Sequence, residues 1–281
     1  MHLLAILIVV ILSIALRYRS VPQDRTWSRR WYRTLFLFCF PGLLMLITAA
    51  TIIYMGCHGQ MLGIQAGSVG CLISGGMILY ANICLLQLAV RGDRSLRQIN
   101  FYPQQQIGDT TARVLDLELP YSAQIGFWKS ELIVSKGLLE ALDEEHLAAV
   151  IAHEQAHAKY RDTFWFFWLG WIRNFSFWLP NTQKLWQELL LLRELRADRQ
   201  AAESVDFLLL AESLLAIAQA PLESPIWCAS LNDAQIGNRL QERIDSLLNP
   251  SQTELVDRHR WHHWSWLCLL LLPLLTIPLH S

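Results

Sequence analysis

The chain has 281 residues, 53% of them hydrophobic and only 17% charged. About a quarter of a soluble domain's residues are Asp, Glu, Lys or Arg, so this composition argues for a membrane protein rather than a soluble globular one. A net charge of -1, with the bases clustered beside apolar runs and the acids mostly elsewhere, gives nucleic-acid binding no support.

Four apolar runs predict four membrane-spanning helices, at 1–16, about 34–55, about 68–90 and 264–281. The first run is short and could be read as a cleaved signal peptide, but its bases follow the apolar stretch, where a signal peptide carries them in front. Arg17, Arg19, Arg25, Arg29, Arg30 and Arg33 crowd the first loop against a single acid, Asp24. That excess places the loop in the cytoplasm and the N-terminus outside. The loop from Gly56 to Gly67 has no charge unless His58 is protonated, and the segment after the third run opens with Arg91, Arg94 and Arg97. The alternation predicts a cytoplasmic domain over 91–263, with Arg258 and Arg260 flanking the last run on the same side. Cys39, Cys71, Cys84 and Cys268 fall in apolar runs, Cys57 in the outer loop and Cys228 in the cytoplasmic part, so neither a disulfide framework nor a cysteine metal site is expected.

Within 91–263, Leu115, Leu117 and Leu119 alternate with Asp116 and Glu118, predicting a half-buried strand from Thr111 to Leu119 that Pro120 ends. A second strand, Leu132 to Val134, follows Gly126. Ser135 is placed to cap a short helix through Leu142, and Asp143 to cap the next, which runs to about Tyr160 with Glu144 and Glu145 in its first turn. The aromatic run from Thr163 to Pro180 comes next, with four tryptophans, five phenylalanines and Arg173 in its middle. Helices are predicted from about Gln183 to Glu203, Phe207 to Gln219 and Ile236 to Leu248.

The helix after Asp143 carries His153, Glu154 and His157. Two histidines four residues apart project from one helix face on successive turns and can grip one metal ion. Glu154 is offset around the helix, beside an open coordination position, where its carboxylate can take the proton of an attacking water. This HExxH pattern in isolation is open to chance occurrence, and the alternative is three polar residues on a solvent face. The apolar neighbours Ala149, Val150, Ile151, Ala152 and Ala156 argue against that alternative.

A catalytic zinc needs a third protein ligand, and Glu194, 37 positions beyond His157 in RELRADRQAA, is the candidate. Asp198, one turn on, either orients a ligating imidazole or is a surface acid paired with Arg193, Arg196 or Arg199. If the aromatic run crossed the bilayer, Glu194 would emerge on the wrong side. The run is therefore expected to hug the membrane or form a re-entrant hairpin over 163–180; if it spans, Glu194 is not a ligand.

The stretch IGFWKSELIVSKGLLEALDEEHLAAVIAHEQAHAKYRD, an aromatic WLP segment and RELRADRQAA together resemble the antirepressor-type membrane metallopeptidases of the beta-lactam-sensor (BlaR/MecR) class. They also resemble the HtpX and CaaX-protease type enzymes. The resemblance implies one zinc held by His153, His157 and Glu194, with Asp198 as a recurrent companion. Three spans before the peptidase region and one after it resemble the sensor arrangement too, although the chain reaches Ser281 without the penicillin-binding domain that those sensors carry, so beta-lactam sensing is not implied. The fold class implied is mainly α: a multi-pass membrane protein with a gluzincin-like α+β zinc peptidase domain inserted between the third and fourth transmembrane helices.

The relatives suggest roles for the flanks as well. Leu132 to Val134 resembles the edge strand that pairs with extended substrate, though an ordinary core strand reads the same. Arg243, in NRLQERIDSLL, resembles an Arg-Ile motif near the active site of HtpX-type enzymes, or is a surface charge near Glu242 and Asp245. His259, His262 and His263 read as an interfacial anchor before the last run, and His146 as a surface residue.

The expected function is a zinc-dependent endopeptidase of a bacterial plasma membrane, acting at the cytoplasmic face on a repressor or a membrane protein. The alternative is a catalytically inactive membrane receptor or scaffold with the same fold.

Overall fold

The computed structural model describes residues 1–18, 26–58, 60–61, 64–65, 67–219, 233–248 and 266–279. His259, His262 and His263, along with Arg258 and Arg260, lie outside the described residues. The chain divides into two compact units, Met1–Ala89 with Trp168–Leu190 and Glu254–Ser281, and Val90–Phe167 with Leu191–Thr253.

Among the described residues, the first unit is helical apart from a two-stranded turn. Helix α1 spans His2–Arg17, α2 Trp27–Met55 and α3 Ser68–Ile99, with strands β1 (Gln60–Met61) and β2 (Ile64–Gln65) paired between the last two. At 1.5 Å per residue, α2 is roughly 43 Å long, enough to cross a hydrocarbon core of about 30 Å. Of the described helices, α2 and α3 are long and apolar enough to span; α1 and Trp266–Pro278 are apolar but shorter. Helix α3 runs nine residues past the predicted end at 90, because nothing in RGDRSLRQI breaks a helix and Asp93 pairs with Arg97 one turn on, at 2.8 Å. A Cβ on Gly70 would come within 2.4 Å of the Cβ of His2, so glycine lets α1 and α3 approach closely.

The cysteine expectation is corrected here, since Cys57 and Cys71 form a disulfide. The apolar setting of Cys71 hid the pairing, because it sits in the first turn of α3, beside the loop that holds Cys57.

The second half of the aromatic run belongs to this unit. Helix α6 covers Asp162–Phe175 and α7 Thr182–Ala201. With 14 residues, α6 is about 21 Å long, too short to cross by itself. Trp171 Nε1 donates to the carbonyl of Ala81 at 2.8 Å, and Phe175 packs on Gly42. The turn that follows is tied to α1: Asn181, in the left-handed conformation (φ 57°), donates to the Arg17 carbonyl at 2.7 Å, and the Arg17 guanidinium donates to Thr182 at 3.1 Å and to the carbonyl of Phe38 at 2.9 Å. Further along α7, Glu188 pairs with Arg30 at 2.7 Å.

The second unit is built on a four-stranded sheet of β3 (Gln104–Ile107), β4 (Thr110–Leu115), β5 (Ser122–Ile125) and β6 (Glu131–Ser135), in the order β3-β4-β6-β5. Strands β4 and β6 are parallel, and the other two pairs antiparallel. Leu132 and Val134 point to one face, joining Ala112, Val114, Leu138 and Val150, while Ile133 points to the other with Leu115 and Ile99. Fully burying side chains such as Ile133, Val134 and Leu138 contributes about 1.5–3 kcal/mol each.

One strand expectation changes, and one open reading is decided. Strand β4 ends at Leu115 instead of Leu119, because the carbonyls beyond it are drawn to the start of helix α4 (Lys136–Ala141). The Leu117 carbonyl accepts from Gly137 N at 2.9 Å and the Leu119 carbonyl from Ser135 Oγ at 2.6 Å. Gly137 is required there, since a Cβ would lie 1.7 Å from the Glu118 oxygen. The strand Leu132 to Val134, open in the sequence between an edge strand and an ordinary core strand, lies inside the sheet. The edges are β3 and β5, and the short segment Ser122-Ala123-Gln124 did not announce β5.

Helix α5 (Glu144–Lys159) is capped by Asp143 as expected, the carboxylate accepting from His146 N at 2.9 Å. It lies between two apolar clusters: Val150 faces the sheet, and Ala149 packs with Ala201 of α7, Leu210 and Ala211 of α8 (Phe207–Gln219) and Leu247 of α9 (Asp233–Leu248). The chain closes on α10 (Trp266–Leu269) and a 3-10 stretch, Leu272–Leu279, containing Pro273 and Pro278.

Candidate metal centre

Because α5 is packed on both sides, its remaining face is held rigidly, and that face carries His153, Glu154 and His157, all buried. The Nε2 atoms of His153 and His157 are 3.1 Å apart. From α7, Glu194 brings Oε2 to 3.3 Å from the first and 3.7 Å from the second. Two donors placed 2.0–2.1 Å from a tetrahedral zinc sit about 3.3–3.4 Å apart, so this donor set fits such an ion. The three side chains form the one candidate metal cluster among the described residues.

The opposite nitrogens of both rings face buried carboxylates. His153 Nδ1 contacts Asp198 Oδ1 at 2.8 Å, and Asp198 is gripped by Arg243, whose Nε and Nη2 each donate at 2.7 Å. His157 Nδ1 is hydrogen-bonded to Asp162 Oδ2 at 2.8 Å, and Asp162 in turn accepts from Arg196. Carboxylates on the Nδ1 side favour a tautomer that leaves each Nε2 free for a metal. Asp198 therefore pairs with Arg243, from a third helix.

Glu194 divides its two oxygens. Oε1 accepts from Nε and Nη2 of Arg193 at 2.9 and 2.6 Å, leaving Oε2 toward the imidazoles and, at 3.6 Å, Arg243. The Arg193 guanidinium also lies over the Phe166 ring, 4.8 Å from its centroid. Glu154 Oε1 accepts from the Ser122 hydroxyl at 2.8 Å, which ties the helix to β5.

Electrostatics follow from this packing. Burial resists charge on His153, but the carboxylates of Asp198 and Glu194 outweigh it and push the ring up to about 9. His157 is raised in the same way, burial being outweighed by Asp162 and Glu194. Burial favours the neutral acid at Glu194, yet Arg193, both imidazoles and Arg243 hold it well below the usual carboxylate range. Asp198 is lowered against its burial, chiefly by Arg243, whose own guanidinium is held charged against burial by Asp198 and Glu194.

His153, Glu154, His157 and Glu194 border a cleft of about 250 Å³ whose wall includes Ser122, Ala123 and Gln124 of β5, together with Thr163 and Arg193. All six residues singled out in the sequence are thus brought together: His153, Glu154, His157, Glu194, Asp198 and Arg243. Asp162, Arg196, Arg193, Ser122 and Gln124 were missed. Asp162 had a signal, five positions after His157 behind the left-handed turn residue Arg161 (φ 53°), and Arg193 adjoins Glu194 in the chain, whereas Arg196, Ser122 and Gln124 meet the site only through folding. His146, read as a surface residue, is partly exposed and bridges Asp143 at 2.7 Å and Glu212 of α8 at 3.4 Å.

Comparison with known proteins agrees in kind. The model of Peptidase family M48 matches residues 118–214, from just before β5 into α8, which takes in His153, Glu154, His157, Glu194 and Asp198 and stops short of Arg243. No curated protein and no solved structure gives a significant match. The site resembles that of an M48-type metallopeptidase, and metallopeptidase chemistry is the function that the match supports.

Proposed function

We propose that this chain is an integral-membrane zinc endopeptidase that cleaves a protein substrate at the cytoplasmic face of a bacterial plasma membrane. The observation that carries the reading is the convergence of His153 Nε2, His157 Nε2 and Glu194 Oε2, with Glu154 on the same buried face. His153, His157 and Glu194 would hold a zinc ion, which would supply Lewis-acid polarisation of the scissile carbonyl and the attacking water. Glu154 serves as general base, its carboxylate oriented by Ser122, and later returns the proton to the leaving amine. Asp198 and Asp162 keep the two imidazoles in place, and Arg193 keeps Glu194 turned inward.

The substrate binds as an extended strand on the edge of β5, which among the described residues has a sheet neighbour on one side only. A cytosolic repressor or a membrane protein can supply such a segment beside the bilayer. The arginine-rich first loop supports a cytoplasmic site. The Cys57–Cys71 disulfide agrees with it, since a disulfide next to the loop read as external persists in an oxidising compartment. The contacts of Trp171, Phe175, Asn181 and Thr182 with the apolar helices support a re-entrant reading of 163–180, with both Asp162 and Glu194 in the unit that holds the site. Four spans, at 1–16, 34–55, 68–90 and 264–281, complete the proposed topology. Within the metallopeptidases we place the chain beside the BlaR/MecR antirepressor class and the HtpX-type enzymes, on the motif stretch that also falls in the M48 match.

The test is metal content and proteolysis on the purified full chain. About one zinc per chain is expected, and Glu154→Gln keeps the metal while losing cleavage. Undiminished cleavage by that variant overturns the mechanism. A buried carboxylate beside the metal donors also speaks against an inactive receptor, which has no use for a general base.

A further inference from the structure

Strand β5 registers Ser122 against Val134 and Gln124 against Leu132. Val134 and Leu132 both pack into the cluster that holds Val150 of α5, so Ser122 and Gln124 share the face that looks toward that helix. The Ser122 hydroxyl reaches Glu154 at 2.8 Å. Two residues further along the same face, Gln124 borders the cleft beside the metal donors. Its Oε1 is shut off from solvent and accepts no hydrogen bond among the described residues. A buried carbonyl oxygen left in that state costs free energy that an incoming donor recovers.

Resting on the peptidase reading above, we propose that Gln124 determines specificity by accepting a hydrogen bond from a donor side chain of the substrate. A peptide paired antiparallel to β5 places its side chain opposite Gln124 on the cleft face, with Cβ atoms about 4.5–5.5 Å apart. Asparagine, glutamine, serine or threonine there satisfies Oε1, while an aliphatic residue leaves it unpaired. The preference is confined to one subsite, because Ser122 is already engaged with Glu154 and Ala123 points to the opposite face.

The experiment is a positional-scanning library of extended peptides, read as cleavage by the wild-type chain and as equilibrium binding to the Glu154→Gln chain. Wild type is expected to favour donor side chains at one subsite. Gln124→Leu should shift that subsite toward aliphatic residues by about fivefold to tenfold and leave the others unchanged, the size expected of one hydrogen bond. Gln124→Glu should shift the same subsite toward Lys and Arg. Unchanged selectivity, or an equal loss at every subsite, overturns the proposal. Binding that depends on Gln124 in a chain that cleaves nothing overturns the peptidase reading and leaves this one standing; binding of no peptide overturns this one.

Discussion

Arg243 grips Asp198 through two hydrogen bonds of 2.7 Å, joining α9 to α7 directly behind the imidazole of His153. The planar guanidinium matches the carboxylate atom for atom, which lysine cannot do. Arg243→Lys and Asp198→Asn should each weaken zinc affinity about 10–100-fold, measured by competition with a chromogenic chelator. Wild-type affinity in both would mean that Asp198 does not orient the ligand.

The same logic holds on the other ring. Asp162→Asn and Arg196→Gln act on one chain of contacts that ends at His157 Nδ1, so their effects on zinc affinity should be strongly non-additive. A double-mutant cycle checks this, and additive losses would separate the two residues.

Proton release on metal binding should be large. The His153 ring is pushed up from 6.5 to about 9, so below that value the metal-free protein holds a proton there that zinc must displace. Apparent zinc affinity therefore rises with pH and levels off near 9. For the metal-free fold the sign is opposite: the stabilisation from charged His153 is complete below 6.5 and is lost as pH rises through 9. Calorimetry of zinc binding in buffers of different ionisation enthalpy counts the protons, and no release at neutral pH would contradict the assignment.

Across α5 and α8, His146 is raised by Asp143 and, more weakly, by Glu212, while its hydrogen bonds lower Asp143. Both partners are charged from above 3.8 up to the raised histidine value, so the pair stabilises most between about 4 and 6.5 and fades on either side. His146→Gln should flatten this part of the unfolding profile against pH, with a small amplitude because the pair is solvated.

On intact cells, a membrane-impermeant maleimide should label Cys57 and Cys71 only after an impermeant reductant, with the Cys57→Ser/Cys71→Ser chain as blank. Labelling that requires permeabilised cells would invert the orientation.

Much of the local structure was legible in the residues themselves. Helix α5, its Asp143 cap and the Ser135 cap of α4 rest on spacing and capping chemistry, which act within one or two turns. The pairing of His153 with His157 is of the same kind, since it follows from helical periodicity. What depends on distant contacts could not be read in this way. The end of β4 at Leu115 was decided by Gly137 and Ser135, and the edge position of β5 by strand order. Arg243 found Asp198 across 45 positions and Arg196 found Asp162 across 34, and no local rule selects among the many arginines available. The sequence by itself determined which groups can bind a metal and move a proton. Only the tertiary structure decided which carboxylate backs which ring, because burial makes those pairings strong and burial is a property of the packed chain.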